Sequence, residues 1–368
     1  MIEDTMIKEQ APYGRRKKPE TDFRPVIEHP DGGGGISGAF PEGETYYGLP
    51  ALKASHYGWP VVAYFFVGGA ASASQFIATV ADLVGHEADR GIVRTGRYLA
   101  FLGSLASPAL LIADLHTPQR WYNMLRIYRQ TSPMSIGAWA LSLFGTFSGL
   151  TLAAQVIQDL GGRFTGQWLA RLFGVPAAIM GGIVSLYTGT LLAATSVPLW
   201  AGAFPFLSSL FATSAASTAT ASLTLVAEVT DAPPATRRRL ERFAFIAGAL
   251  EFVFAMLIDR TWRERKLDAP LRQQPVSSAY RYGALGLGII TPLFIHALGL
   301  LRRRQSRQAT VWAAIATLSG GFILRAVLVF AGNESARRPE DYFRVTQPVA
   351  QPDSGNDEGG DGEGRLLQ

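Results

Sequence analysis

Eight apolar runs, each close to the length of a bilayer crossing, alternate with short stretches that hold most of the charge. They cover about 57–84, 97–115, 135–157, 169–197, 204–229, 243–258, 282–301 and 310–330. A helix needs about 20 residues to cross the hydrocarbon core. Inside that core every backbone N–H and C=O must be satisfied by the chain itself, so segments of this length are read as helices. The expected fold is an all-α integral membrane protein of eight transmembrane helices, arranged as two four-helix bundles. The composition agrees: 48% of residues are hydrophobic and 17% charged, where soluble domains average about 25% charged. The fifth run is rich in Ser, Thr and Ala. The sixth is the shortest and has Glu251 in its interior.

The remaining sequence divides simply. Residues 1–45 are polar and include DGGGG at 31–35; residues 333–368 include QPDSGNDEGGDGEG. Both lack the apolar content needed for a core and are expected to be disordered tails. The membrane domain is expected over 46–332. The net charge of +5 sits mainly in short loops, which fits topology and contact with lipid headgroups. No basic face suited to nucleic acid is visible. The motifs GGAASAS, GGIVSLYTG and SAASTATAS place small residues inside apolar helices. Such residues let helix backbones approach closely in lipid.

Even topology puts both tails on one side. The loops on the opposite side carry thirteen Lys and Arg against nine on the tail side, which places the tails outside by the positive-inside rule. Counting Lys53, Arg337 and Arg338 brings the tail side to twelve. The same topology gathers three remote pieces at the tail-side face: the entry to the first run, the exit from the second and the entry to the third. Tyr46, Tyr47, Lys53, His56, Asp114, His116, Arg120, Trp121 and Trp139 form this collar.

An imidazole and a carboxylate at the edge of hydrocarbon can exchange protons near neutral pH, the carboxylate because partial desolvation raises its pKa. Aromatic rings around them make a flat apolar slot. Together these suit an amphipathic ring with protons on its oxygens, such as a quinol, with Asp114 and His56 as its proton-exchanging groups. Blander roles stand beside this one. The aromatic residues fit an interfacial belt, Arg120 a lipid phosphate contact, and His56 a solvated surface histidine. Glu251, His296 and Arg325 lie inside apolar runs, as a structural ion pair or as a proton path.

Two inventories narrow the cofactors. The chain has no cysteine, so it holds neither a disulfide nor a cysteine-ligated iron–sulfur cluster. Of its histidines (His29, His56, His86, His116 and His296), only His296 falls inside a run, which argues against a haem held between two membrane histidines. No H-E-x-x-H or similar metal spacing occurs.

YYGLP with YGWPVVAYFFVGG, then LLIADLHTPQRWYNMLRI, then SPMSIGAW resemble the NrfD/PsrC family, the membrane subunits of polysulfide-reductase-like oxidoreductases. The resemblance implies an anchor in a bacterial cytoplasmic membrane, without haem, that exchanges electrons between the quinone pool and a ferredoxin-like iron–sulfur subunit. That partner would serve a molybdopterin-type catalytic subunit or a multihaem cytochrome. The resemblance further implies a quinone site near the outer face. By motif position, Tyr47, Gly48 and Pro50 would line its entrance, with His56 and Asp114 at the quinone head and Lys53, Arg120 and Trp139 around it. Ala51 stands where some relatives have an amide. The rival from another class is a secondary transporter or proton channel that uses Glu251, His296 and Arg325. A purely structural anchor is the third possibility.

Overall fold

The computed structural model describes residues 52–302 and 306–346. Tyr46, Tyr47, Gly48 and Pro50 lie outside them, as do the predicted amino-terminal tail and the last part of the carboxy-terminal one. Eight long helices make up the body: α1 Trp59–Val84, α2 Arg90–Ala113, α3 Pro133–Asp159, α4 Arg163–Ala193, α5 Phe206–Val229, α6 Pro234–Glu264, α7 Val276–Arg302 and α8 Arg307–Arg337. No strand occurs among the described residues.

Seven of the eight are long and apolar enough to cross a membrane; α6 is the exception. Its apolar stretch, 243–258, is bracketed by Arg242 and Asp259 and interrupted by Glu251. Yet α6 is as long as α8, at 31 residues, and packs against α5 and α7. Helix starts follow local chemistry. Proline occupies the first turn of α1, α3 and α6, where its missing N–H costs nothing. The hydroxyls of Ser132 and Ser306 accept from the N–H groups of Ser135 and Ala309, capping α3 and α8. Over Ala279–Ile290 the α7 backbone winds as a π-helix.

Helices α1–α4 pack as one group and α5–α8 as another. The groups meet where α1, α2 and α4 touch α5, and where α8 touches α1. Half of α1 is buried, because it contacts α2, α4, α5 and α8 at once. Small residues make such crowding possible. Gly320 of α8 lies so close to Gly288 of α7 that a Cβ on it would overlap the Gly288 Cα.

The entry to α1 and the end of α8 share a face. Asn333 accepts a hydrogen bond from the Ser55 hydroxyl and donates to the Tyr57 carbonyl at 3.2 Å. The ordered domain also runs past the expected boundary at 332. Helix α8 continues to Arg337, and a further helix, Pro339–Thr346, buries Asp341. There the Ser335 hydroxyl donates to Asp341 at 3.3 Å and Arg344 donates to the Lys266 carbonyl at 2.7 Å. On the opposite face Arg97 is not a loop cation. It is buried, donating to Gln155 at 2.6 Å and Asp82 at 3.1 Å. Without it the two faces carry equal numbers of cations, and the charge rule no longer separates them.

Gly320→Val should wedge α7 from α8. A loss of about 1–3 kcal/mol is expected from overpacking, read as a lower thermal midpoint in detergent. An unchanged midpoint would show that the two backbones are not in contact.

Candidate functional site

The first group of helices leaves a cavity of about 170 Å³ at the face where α1 begins. That is an order of magnitude above the roughly 10–15 Å³ a single water needs. Its walls are mostly apolar: Val61 and Phe65 from α1, Leu111 from α2, Leu141 from α3 and Leu191 from α4. The connection between α2 and α3 roofs it with Trp121 and Met124, both exposed on their outer side. Polar groups enter at few points: the Asp114 carboxylate and the hydroxyls of Tyr57, Tyr64, Tyr187 and Ser142.

Asp114 directly follows the last turn of α2 and is half-buried. A carboxylate there meets the negative end of the helix dipole, an unfavourable position. Burial raises its pKa above the usual carboxylate value; the Gly58 N–H and the positive charge of His56 and His116 oppose the rise without cancelling it. That N–H contact joins the entry to α1 with the exit from α2, two points 56 residues apart in the chain. The rings of His56 and His116 meet edge-on, 4.9 Å between centroids. Both are exposed and stand outside the cavity wall.

Tyr57 stacks on Trp200 at 5.9 Å. The indole N–H of Trp200 is anchored on the Leu328 carbonyl at 2.7 Å. Burial and the nearby Asp114 charge push the Tyr57 phenol above its ordinary value. Tyr64 and Tyr57 are both electrostatic neighbours of Tyr187. Among the described residues, none of these three phenol oxygens has a hydrogen-bond partner. Three hydroxyls without a protein partner around a single, mostly apolar cavity leave donors free for a polar, ring-sized guest. Tyr187 reaches the cavity because residue 137 is glycine: a Cβ there would overlap the Tyr187 ring at Cζ.

Of the predicted site residues, Asp114 lines the cavity and His56 adjoins it through Asp114. Lys53 and Arg120 are exposed at the same face, and neither they nor Trp139 line the cavity. Trp139 meets Tyr128 edge-on at 6.3 Å, with its indole N–H buried and unbonded among the described residues. Tyr57, Tyr64, Tyr187 and Gly137 did not stand out in the sequence as site residues. The available signal was a tyrosine hydroxyl well inside an apolar run, as costly there as other unsatisfied polar groups.

Glu251, His296 and Arg325 lie elsewhere, in the second group of helices. Glu251 and Arg325 make no direct ion pair. Arg325 donates to the Ser214 hydroxyl at 3.0 Å, and Ser214 and Ser217 flank the Glu251 carboxyl.

Among known proteins, the family described as polysulphide reductase, NrfD matches residues 51–335 of the chain. No curated protein matches it.

Gly137→Ala is expected to push the Tyr187 ring from its place and lower the thermal midpoint. Adding Tyr187→Ala should recover most of the loss, because substitutions in contact are not additive. Additive losses would mean that the two residues do not touch.

Proposed function

Because the chain belongs to the polysulphide reductase NrfD family, whose members are membrane subunits of respiratory oxidoreductase complexes, we propose that it binds a quinone or quinol in the cavity beside Asp114. One observation carries this reading: an apolar cavity in the collar ends on a carboxyl of raised pKa and on phenol hydroxyls that no described residue satisfies. A quinone head fits that donor set, since its oxygens need hydrogen bonds while its ring and isoprenoid tail need apolar walls. When bound, it supplies two-electron, two-proton redox chemistry.

The chain's own residues supply position and proton exchange. The hydroxyls of Tyr57 and Tyr187 donate hydrogen bonds that orient the ring. Asp114 accepts the two quinol protons in turn in the oxidative direction, passing the first on before the second leaves, and returns them in the reductive one. Its raised pKa suits both, because a carboxyl closer to neutrality gains and loses a proton more readily at working pH. His56 and His116 connect Asp114 to water, where the proton leaves. Trp121 and Met124 limit the entry of solvent from above.

Electrons leave for a cluster in a partner, and the reading assigns that role to a ferredoxin-like iron–sulfur subunit seated on the collar. Lys53 and Arg120 are exposed there to meet it. A molybdopterin-type subunit or a multihaem cytochrome would lie beyond that partner. The same reading puts the collar on the outer side of a bacterial cytoplasmic membrane.

Asp114→Asn in the assembled complex should lower quinol-dependent electron transfer by about 10²-fold or more, the usual worth of a positioned proton acceptor. Near-normal turnover would remove Asp114 from the chemistry. Replacing both His56 and His116 with Ala removes the positive charge that holds the Asp114 pKa down. It rises further, and because the acceptor must be ionised, the acidic limb of the pH–rate profile for quinol oxidation moves to higher pH. A limb that stays in place or moves down would exclude Asp114 as the titrating group.

A further inference from the structure

On the face opposite the collar, the end of α5, the start of α6, the end of α7 and the start of α8 enclose a second cavity, of about 570 Å³. Its charged lining is mixed: Glu228 and Glu241 face Arg237, Arg238, Arg242 and Arg307. Glu228 stands 3.4 Å from Arg237 and 3.6 Å from Arg307. Glu228 Oε2, Glu241 Oε1 and Arg237 Nε are buried without a hydrogen bond among the described residues. Polar atoms of this kind, beside a cavity of this size, are satisfied by water.

The inner wall of this cavity includes His296, 6% exposed and with Nδ1 unbonded. His296 also lines a small space of about 20 Å³, shared with Glu251, Ser217 and Thr317. That volume holds one water, which needs roughly 10–15 Å³. Glu251 is 3% exposed. Past it the line of polar groups closes. Ser214 is taken by Arg325, which also donates to the carbonyls of Phe65 at 3.0 Å and Gly321 at 2.7 Å. Its guanidinium lies 5.7 and 5.8 Å from the rings of Phe66 and Phe211. A fixed cation in a low-dielectric surround repels a proton.

We propose that this cavity is a one-sided proton inlet, leading from the face opposite the collar through His296 to Glu251, where Arg325 ends it. A proton entering from that face passes by His296 and one intervening water to the Glu251 carboxylate, which becomes neutral. It leaves by the same route. The inlet does not depend on the collar cavity and stands or falls apart from it.

The chain has no native cysteine, so single cysteines report access cleanly in the full chain reconstituted in lipid vesicles. Thr230→Cys marks the inlet face and Thr117→Cys the collar face. Thr224→Cys and Thr310→Cys, on the cavity wall, should react with a membrane-impermeant methanethiosulfonate at least about tenfold faster from the Thr230 side, since hydrocarbon blocks the other approach. Infrared difference spectra should show a protonated-carboxyl band that appears as pH falls on the Thr230 side and ignores pH on the other. Glu251→Gln should abolish that band. Where this variant fails to fold, Glu251→Asp should shift it. Modification of Thr224→Cys from the collar side would overturn the inlet. So would a band that follows collar-side pH, or one unchanged in both Glu251 variants.

Discussion

Arg325 is a buried guanidinium at the centre of an apolar protein, and the two groups of helices meet around it. An uncompensated charge in such a place costs several kcal/mol, so the surrounding chain must supply its hydrogen bonds. Nε and Nη1 are served by the Phe65 carbonyl of α1, the Ser214 hydroxyl of α5 and the Gly321 carbonyl of α8 itself, while Nη2 is buried without a hydrogen bond among the described residues. Rings from α1 and α5 face the guanidinium. The Gly321 contact lies within α8, but the contacts to Phe65 and Ser214 are made together only when α1 and α5 are both in register with α8. The charge therefore acts as a specificity device at mid-membrane, where apolar packing alone distinguishes poorly between one register and the next.

Registration at that point fixes what happens towards the collar. Phe65 is both an Arg325 ligand through its carbonyl and a wall of the collar cavity through its ring. Val61 stands one helical turn nearer the surface and lines the same cavity; Tyr57 lies beyond it, just before α1 begins. The Tyr57 ring rests on Trp200, which is in turn held by the Leu328 carbonyl of α8. The same tie that sets α1 against α8 at Arg325 is thus repeated at the membrane edge. Between the two ties the face of α1 towards α4 is open, and Tyr187 comes forward over Gly137 to bound the space.

The fold was legible in the sequence because the bilayer restricts the choices. Long apolar runs permit little except helices, and an even number of runs dictates which ends share a face. The meeting of His56 with Asp114 followed from that count alone, and His116 joined it for the same reason. What the runs could not reveal is rotation about each helix axis. Tyr64, Tyr187 and Gly137 matter because of the direction they face, and a helix apolar on all sides leaves that direction unspecified. Helix α6 was hard to delimit for the opposite reason: its ends are so charged that the apolar pattern covers only its middle. The helical segment beyond 332 was not legible because Asp341 and Arg344 read as tail residues, whereas Asp341 accepts from Ser335 at the end of α8 and Arg344 reaches Lys266, remote in the chain.

The two polar systems use the helix groups in opposite senses. In the first group the cavity lies at the collar, and the far end is closed by the paired charges of Asp82, Arg97 and Arg171. In the second group the opening lies at the far face and the polar line ends near Arg325. A continuous polar line through either group would let protons pass across the membrane without control. Dividing the two openings between groups, with a fixed cation where they approach, allows Glu251 and Asp114 to equilibrate with opposite sides. The shortest link between them runs through α1, whose Phe65 touches both the Arg325 guanidinium and the collar cavity.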